Sequence, residues 1–283
     1  DEDSPTSATV VDTDHGRCIT QPRCVRQWHH DVCGHHALFN VRQLLRSLDG
    51  SEPQVSGDPP AALLDEASFW QSALENVTAL ADYGEETGKW PRSRVTCGVL
   101  DEIHLTQLIN GDSSLRGRVS IVPHPFALGP DTEAGCALAG VAEGGEAAHG
   151  FVLGCAIHWV SLVVQKAPVG HHIWLCDSYN RPMAQLLALS DLREVAEKHE
   201  LRWRENSRQS LRTHPHWEHQ PEHNLERALD DGVAEWWKGT QKTPLFWKWK
   251  PRDVRLTLAT QELEHIRQYL EAVVAALAPK PSL

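Results

Sequence analysis

The run Gln27-Trp28-His29-His30-Asp31-Val32-Cys33-Gly34-His35-His36-Ala37-Leu38-Phe39-Asn40 opens a helix on a cysteine. From Cys33 onward, Ala37, Leu38, Val41, Leu44, Leu45 and Leu48 recur at steps of three and four, which marks one face of a helix. Asp31 is the candidate N-cap, and Asp49-Gly50-Ser51 ends the helix. The first backbone N–H groups of a helix have no intrahelical partner, and with the helix dipole they favour a thiolate. Cys33 is therefore a candidate nucleophile. Gln27 can offer its side-chain amide to an oxyanion, and the backbone N–H of Cys33 can offer a second bond. Each such donor is worth roughly a hundredfold or more in rate. Gly34 removes side-chain bulk where a substrate backbone must approach, so it is a candidate channel residue.

A nucleophilic thiol needs a base, and the base needs a group to orient it. The strongest β signal follows a long helical half. Phe151-Val152-Leu153 and Trp159-Val160-Ser161-Leu162-Val163-Val164 are apolar runs, Pro168-Val169-Gly170 is a turn, and His172-Ile173-Trp174-Leu175-Cys176-Asp177 is a partner strand. His158 starts the middle strand and is the candidate base. Asp177 ends the next strand and falls roughly opposite His158, so it is the candidate orienter, with Asn180 as the fallback. On this reading Asp177→Ala lowers turnover without unfolding the chain. Cys155 and Cys176, on apolar strands, are expected in the core.

The remaining elements are read from periodicity. Residues 1–16 form a flexible lead-in. A second helix covers about 61–82, with Leu63, Trp70, Leu74, Val77 and Ala81 inward. Residues 83–96 are turn-rich, a short helix spans 98–110 and stops at Gly111, and 119–122 is a strand. The Gly- and Ala-rich stretch 124–149 reads as a loop over a cleft. Helices follow at about 190–206, 223–238 and 260–277. The Trp-rich segment from Trp236 to Lys250 suits a half-buried edge strand. Helices, then a compact sheet, then helices make an α+β fold: a lead-in of 1–16 and a single domain over 17–283, with a helical extension from about 190.

A glutamine, a cysteine-glycine opening a helix, a strand-borne His158-Trp159 and an acid in Cys176-Asp177-Ser178 together resemble a papain-fold cysteine peptidase. The order Gln27, Cys33, His158, Asp177 is the papain-like order. The six-residue step from Gln27 to Cys33 is similar to that in papain and the ubiquitin C-terminal hydrolases. The His-Trp strand and the acid strand resemble those of Josephin-type deubiquitinases and of SUMO-specific proteases, although in the latter the cysteine follows the other two. The resemblance covers three short segments within 27–180. It implies a papain-like fold with the cysteine helix packed on an antiparallel sheet carrying His and Asp. It also implies hydrolysis, through a Cys33 thioester, of the amide or isopeptide bond after the C-terminal glycine of ubiquitin or a ubiquitin-like protein. Trp159 and the 124–149 loop would then wall a channel that admits only glycine. No cofactor is implied.

Composition narrows the classes. The 283 residues are 41 % hydrophobic with eleven Trp, enough for a sizeable core, and the formal net charge is −11. That charge argues against a general nucleic-acid binder and suits a partner with a basic tail. Seven scattered cysteines with no CxxC fit reduced thiols, hence a cytoplasmic or nuclear setting. No membrane-spanning run or signal peptide is seen. Met183 is the only methionine, so the chain reads as an excerpt or a processed form.

Two other classes compete. Transglutaminase-like and acetyltransferase-like enzymes also resemble a Cys-His-Asp arrangement, but do not share the Gln27 spacing. A non-catalytic, zinc-stapled module is the other. His15, Cys18, Cys24, His29, His30, Cys33, His35 and His36 form a dense Cys/His tract, yet its spacings match no usual zinc pattern, so no metal is assigned. His214, His216, His219 and His223 read as solvated loop histidines.

Overall fold

The computed structural model describes residues 9–13, 17–25, 27, 32–49, 61–89, 100–181, 192–197 and 252–278. The helix predicted at 223–238, the Trp-rich segment, the His214–His223 cluster and the Asp31 cap lie outside these residues.

Six strands form one sheet: β1 (Thr9–Thr13), β2 (Arg17–Gln21), β3 (Val119–Val122), β4 (Ala148–Cys155), β5 (His158–Lys166) and β6 (His171–Cys176). Their spatial order is β1-β2-β6-β5-β4-β3. The hairpins β4–β5 and β5–β6 are antiparallel, as the apolar runs predict. The sheet as a whole is mixed, however, because β2 joins β6 in parallel and β3 joins β4 in parallel. Both of those strands enter from distant chain, and parallel neighbours need such crossovers. Thr9–Thr13, placed in the flexible lead-in by composition, pairs with β2 as an edge strand.

The sheet is covered on both faces. On one side lie α1 (Cys33–Asp49), α2 (Glu66–Thr87) and α3 (Glu102–Gly111). Leu38, Val41 and Leu45 of α1 and Val77 and Leu80 of α2 share a core with Val152, Val163 and Trp174. Asp65 caps α2 by accepting from the Ser68 N–H at 3.0 Å, so the helix begins a few residues later than periodicity suggests. Ala61–Leu64 form a separate 3₁₀ turn. The helix also runs past 82 to Thr87, where Gly88 at φ 66° ends it.

On the other side lie α4 (Glu133–Glu143) and α5 (Arg252–Ala276), with a short helix at 192–197. Leu138 and Val141 of α4 and Leu263, Ile266, Leu270 and Val273 of α5 pack on Phe151, Val160, Leu162 and Val164. The Tyr269 hydroxyl donates to the Val122 and Gly154 carbonyls at 2.8 and 3.0 Å, tying α5 to β3 and β4.

The largest departure from the sequence reading is α4. The stretch 124–149 is not a loop over a cleft: it holds a 3₁₀ turn (Pro125–Leu128), α4 and the start of β4. Thr132 caps α4 by accepting from the Gly135 N–H at 3.0 Å, and Gly144 closes it at φ 82°. Its small residues let it lie close to the preceding turn. Gly135 packs on the Gly129 carbonyl with no room for a Cβ.

Candidate active site

Two short segments are stitched together beside the head of α1. The Cys24 N–H donates to Asn180 Oδ1 at 3.2 Å, and Asn180 Nδ2 donates to the Cys24 carbonyl at 3.0 Å. Three residues on, the Gln27 N–H donates to the Ser178 carbonyl at 2.7 Å. The segment that leads toward α1 is thus bonded to the turn that leaves β6. Asn180 holds this junction at φ 51°, a left-handed conformation that Asn tolerates. It is engaged with Cys24 and does not orient His158.

The β5–β6 register explains why His158 and Asp177 meet. Ser161 pairs with Cys176, so Asp177 is level with Val160, and His158 lies two residues further on the same face. His158 Nε2 is 2.8 Å from Asp177 Oδ1. Both side chains are buried, Asp177 completely. Tyr179 stacks on the His158 ring with centroids 4.3 Å apart and planes at 16°. It covers the imidazole, and the pair is sealed from water.

Cys33 is the first residue of α1 and is buried. Its thiol acts on the imidazole. Burial pushes His158 down, but the hydrogen bond to Asp177, the Cys33 thiol and the charges of both outweigh it and raise His158 to about 9. His158 Nδ1 is buried, and no hydrogen bond of good geometry reaches it among the described residues. Catalytic hydrogen bonds are often long in ligand-free enzymes and tighten when substrate binds. The nitrogen on the far side of the ring from Asp177 is therefore the one available to exchange a proton with sulfur.

Asp177 itself has a second partner that periodicity gives no sign of. Arg181 Nε donates to Asp177 Oδ2 at 2.6 Å, and Arg181 Nη1 donates to Glu262 Oε2 at 2.7 Å. Arg181 is 1 % exposed and Glu262 4 %. Burial would raise the Asp177 carboxyl, but the Arg181 charge and the His158 hydrogen bond hold it well below the usual carboxylate range. Asp177 is thus a fixed anion: Oδ2 serves the guanidinium, and Oδ1 serves the imidazole and accepts from the Tyr179 N–H at 3.2 Å.

Gln27 is fully buried, and its Oε1 accepts from the Ser178 hydroxyl at 2.6 Å. That bond sets which way the amide faces and leaves Nε2 as its donor end. Ser178 is a site residue the sequence reading did not single out. Its position next to the acid was the available signal. For Glu262 there was none, because it lies 81 residues from Arg181.

The two channel candidates, Gly34 and Trp159, both lie in packed surroundings. A Cβ on Gly34 would come 2.7 Å from Leu100 Cβ, so the glycine is required by packing and does not border open space. Trp159 is half-buried and packs with the α1-side core. The 124–149 segment folds as a 3₁₀ turn, α4 and the start of β4, and α4 packs on the sheet face opposite α1.

The described members of the Cys/His tract have separate partners. His15, His29 and His30 lie outside the described residues. Cys24 Sγ donates to the Asp177 carbonyl at 3.5 Å, His35 Nδ1 is 3.3 Å from Asn76 Nδ2, and His36 stacks on Phe69 at 3.8 Å. Among the described residues no three His, Cys, Asp or Glu side chains are gathered as metal ligands. Cys155 and Cys176 are fully buried, as their apolar strands predict, and burial pushes both thiols up. Among the described residues no helix is long and apolar enough to cross a membrane.

No protein-family model matches the chain, and neither a curated protein nor a solved structure is similar enough to it to count as a match.

Proposed function

We propose that this protein is a thiol-dependent hydrolase of amide or isopeptide bonds, acting through Cys33, His158 and Asp177. The observation that carries the reading is the 2.8 Å bond between His158 Nε2 and a buried, ionised Asp177, with the thiol at the head of α1 acting on the same ring.

The steps follow from the roles of these groups. His158 takes the Cys33 proton, and the thiolate attacks the substrate carbonyl carbon. The oxyanion is met by Gln27 Nε2 and the Cys33 N–H. His158 then gives its proton to the departing amine as the C–N bond breaks, leaving a Cys33 thioester. Water attacks the thioester with His158 as base, and a carboxylate leaves as the thiol is restored. Asp177 holds the ring in one tautomer and supports its charge.

The substrate class rests on the resemblance to deubiquitinases. It is the bond after the C-terminal glycine of ubiquitin or a ubiquitin-like protein, and the net charge of −11 suits a basic substrate tail. The test is release of a fluorogenic amine from the C-terminus of ubiquitin and of its common relatives. Release by the parent chain and none by Cys33→Ala is expected. No release from any of them removes the substrate assignment.

A further inference from the structure

The last helix brings a carboxylate to the acid end of the site. Arg181 stands between two buried carboxylates, Asp177 at 2.6 Å and Glu262 at 2.7 Å. Asp177 and Arg181 alone would already be neutral. A second carboxylate leaves the trio with one negative charge over, and burying an ion is costly unless something balances it. The group that does so is next in line. A protonated His158, bonded to Asp177, brings the four buried side chains to zero net charge. Tyr179 closes the arrangement, with its ring stacked on His158 and the Arg181 guanidinium 5.1 Å from its centroid. Water is thereby kept from screening the charges.

The two oxygens of Asp177 also divide the labour. With Oδ2 held by Arg181, Oδ1 is left to His158 and to the Tyr179 N–H, which donates to it at 3.2 Å. With Nη1 fixed by Glu262, the guanidinium cannot turn toward the Asp177 oxygen that His158 uses. Its third nitrogen, Nη2, is buried without a hydrogen-bond partner among the described residues. The backbone is fixed as well: Gln21 Nε2 donates to the Arg181 carbonyl.

We infer that Arg181 and Glu262 are positioning residues of the Cys33 site: Arg181 aims Asp177 at His158, Glu262 balances the imidazolium, and α5 thereby completes the site. This rests on reading Cys33 and His158 as a reactive pair, but not on any substrate.

The test therefore uses none. Iodoacetamide labelling of the full chain is followed against pH by peptide mass spectrometry, with exposed Cys136 as internal reference. Glu262→Gln keeps the shape and an acceptor for Arg181 while removing the charge. It is expected to keep its circular dichroism spectrum and cooperative melt. Its Cys33 should alkylate more slowly than the parent's, by up to about tenfold above pH 8, where a one-unit loss empties an imidazolium that the parent still holds. Glu262→Asp is expected to recover part of the rate. A folded Glu262→Gln chain whose Cys33 profile superimposes on the parent's would overturn the inference. If Glu262→Gln does not fold, Arg181→Lys carries the same two outcomes, and failure of both to fold makes the trio purely structural and overturns it too. Loss of the underlying reading would look different: Cys33 of the parent chain itself would react no faster than Cys136 at any pH, and both conclusions would fall.

Discussion

The Ser178 hydroxyl donates to Gln27 Oε1 at 2.6 Å, and the Gln27 N–H donates to the Ser178 carbonyl at 2.7 Å. The proposed oxyanion donor is thus held from both its backbone and its side chain by the residue that follows the acid. Gln27→Ala should lower kcat on a ubiquitin C-terminal amide by about a hundredfold with little change in KM. Ser178→Ala should give a smaller loss in the same direction, since it frees the amide without removing it. Equal kcat in all three chains would remove Gln27 from the oxyanion site.

Asp177→Ala should do more than slow turnover. From sequence alone it is expected to leave the fold intact, but the structure revises this, because Asp177 is a partner of fully buried Arg181. Removing Asp177 leaves Arg181 paired with Glu262 but takes the acceptor from Arg181 Nε and His158 Nε2, two buried donors, at a cost of about 1–3 kcal/mol each. Denaturant unfolding checks this. The triple variant Asp177→Ala, Arg181→Met, Glu262→Gln, which leaves no carboxylate without its cation, should regain much of the stability and none of the activity. Recovery of activity would place the role of Asp177 in the fold alone.

Gly34→Ala should destabilise by about 1–3 kcal/mol, since the new methyl meets Leu100 Cβ at 2.7 Å. Adding Leu100→Ala should relieve part of the strain. Thermal melts read both effects. A Gly34→Ala chain with the parent's melting point and a raised KM would instead return Gly34 to the substrate channel.

Stability should depend on pH through the same pair. His158 is raised from its ordinary 6.5 to about 9, so its contribution is complete below pH 6.5 and is lost as pH rises toward 9. Asp177 is depressed from its ordinary 3.8, so its contribution is complete above that value and is lost as pH falls further. The melting point is therefore expected to be highest between about pH 4 and 6.5 and to fall toward 9. His158→Gln should flatten the alkaline decline. A decline of the same slope in that variant would assign it to other groups.

How much of this was legible depended on whether a feature is local. The β5–β6 hairpin declares itself by apolar runs either side of Pro168-Val169-Gly170, and that hairpin alone brings His158 near Asp177. The α1 face is equally local. By contrast, α4 (Glu133–Glu143) is rich in Gly and Ala, a composition that reads as loop. Its Thr132 cap and Gly144 stop were the signals to weigh more heavily. The parallel β2–β6 pairing joins residues about 150 apart, for which periodicity carries no information. Arg181 lies four residues beyond Asp177 and could have been suspected, but its second partner on α5 depends on the whole fold. Of the histidines that crowd Cys33 in sequence, the two described ones are drawn off by packing, His36 to Phe69 and His35 to Asn76.

The central claim is that Cys33 is the nucleophile. Its most direct test is ubiquitin carrying a C-terminal thiol-reactive group, incubated with the full chain and mapped by peptide mass spectrometry. One covalent adduct is expected, on Cys33, that disappears in Cys33→Ala and forms more slowly in His158→Gln. An adduct on another cysteine, or one that forms equally fast without His158, would contradict it.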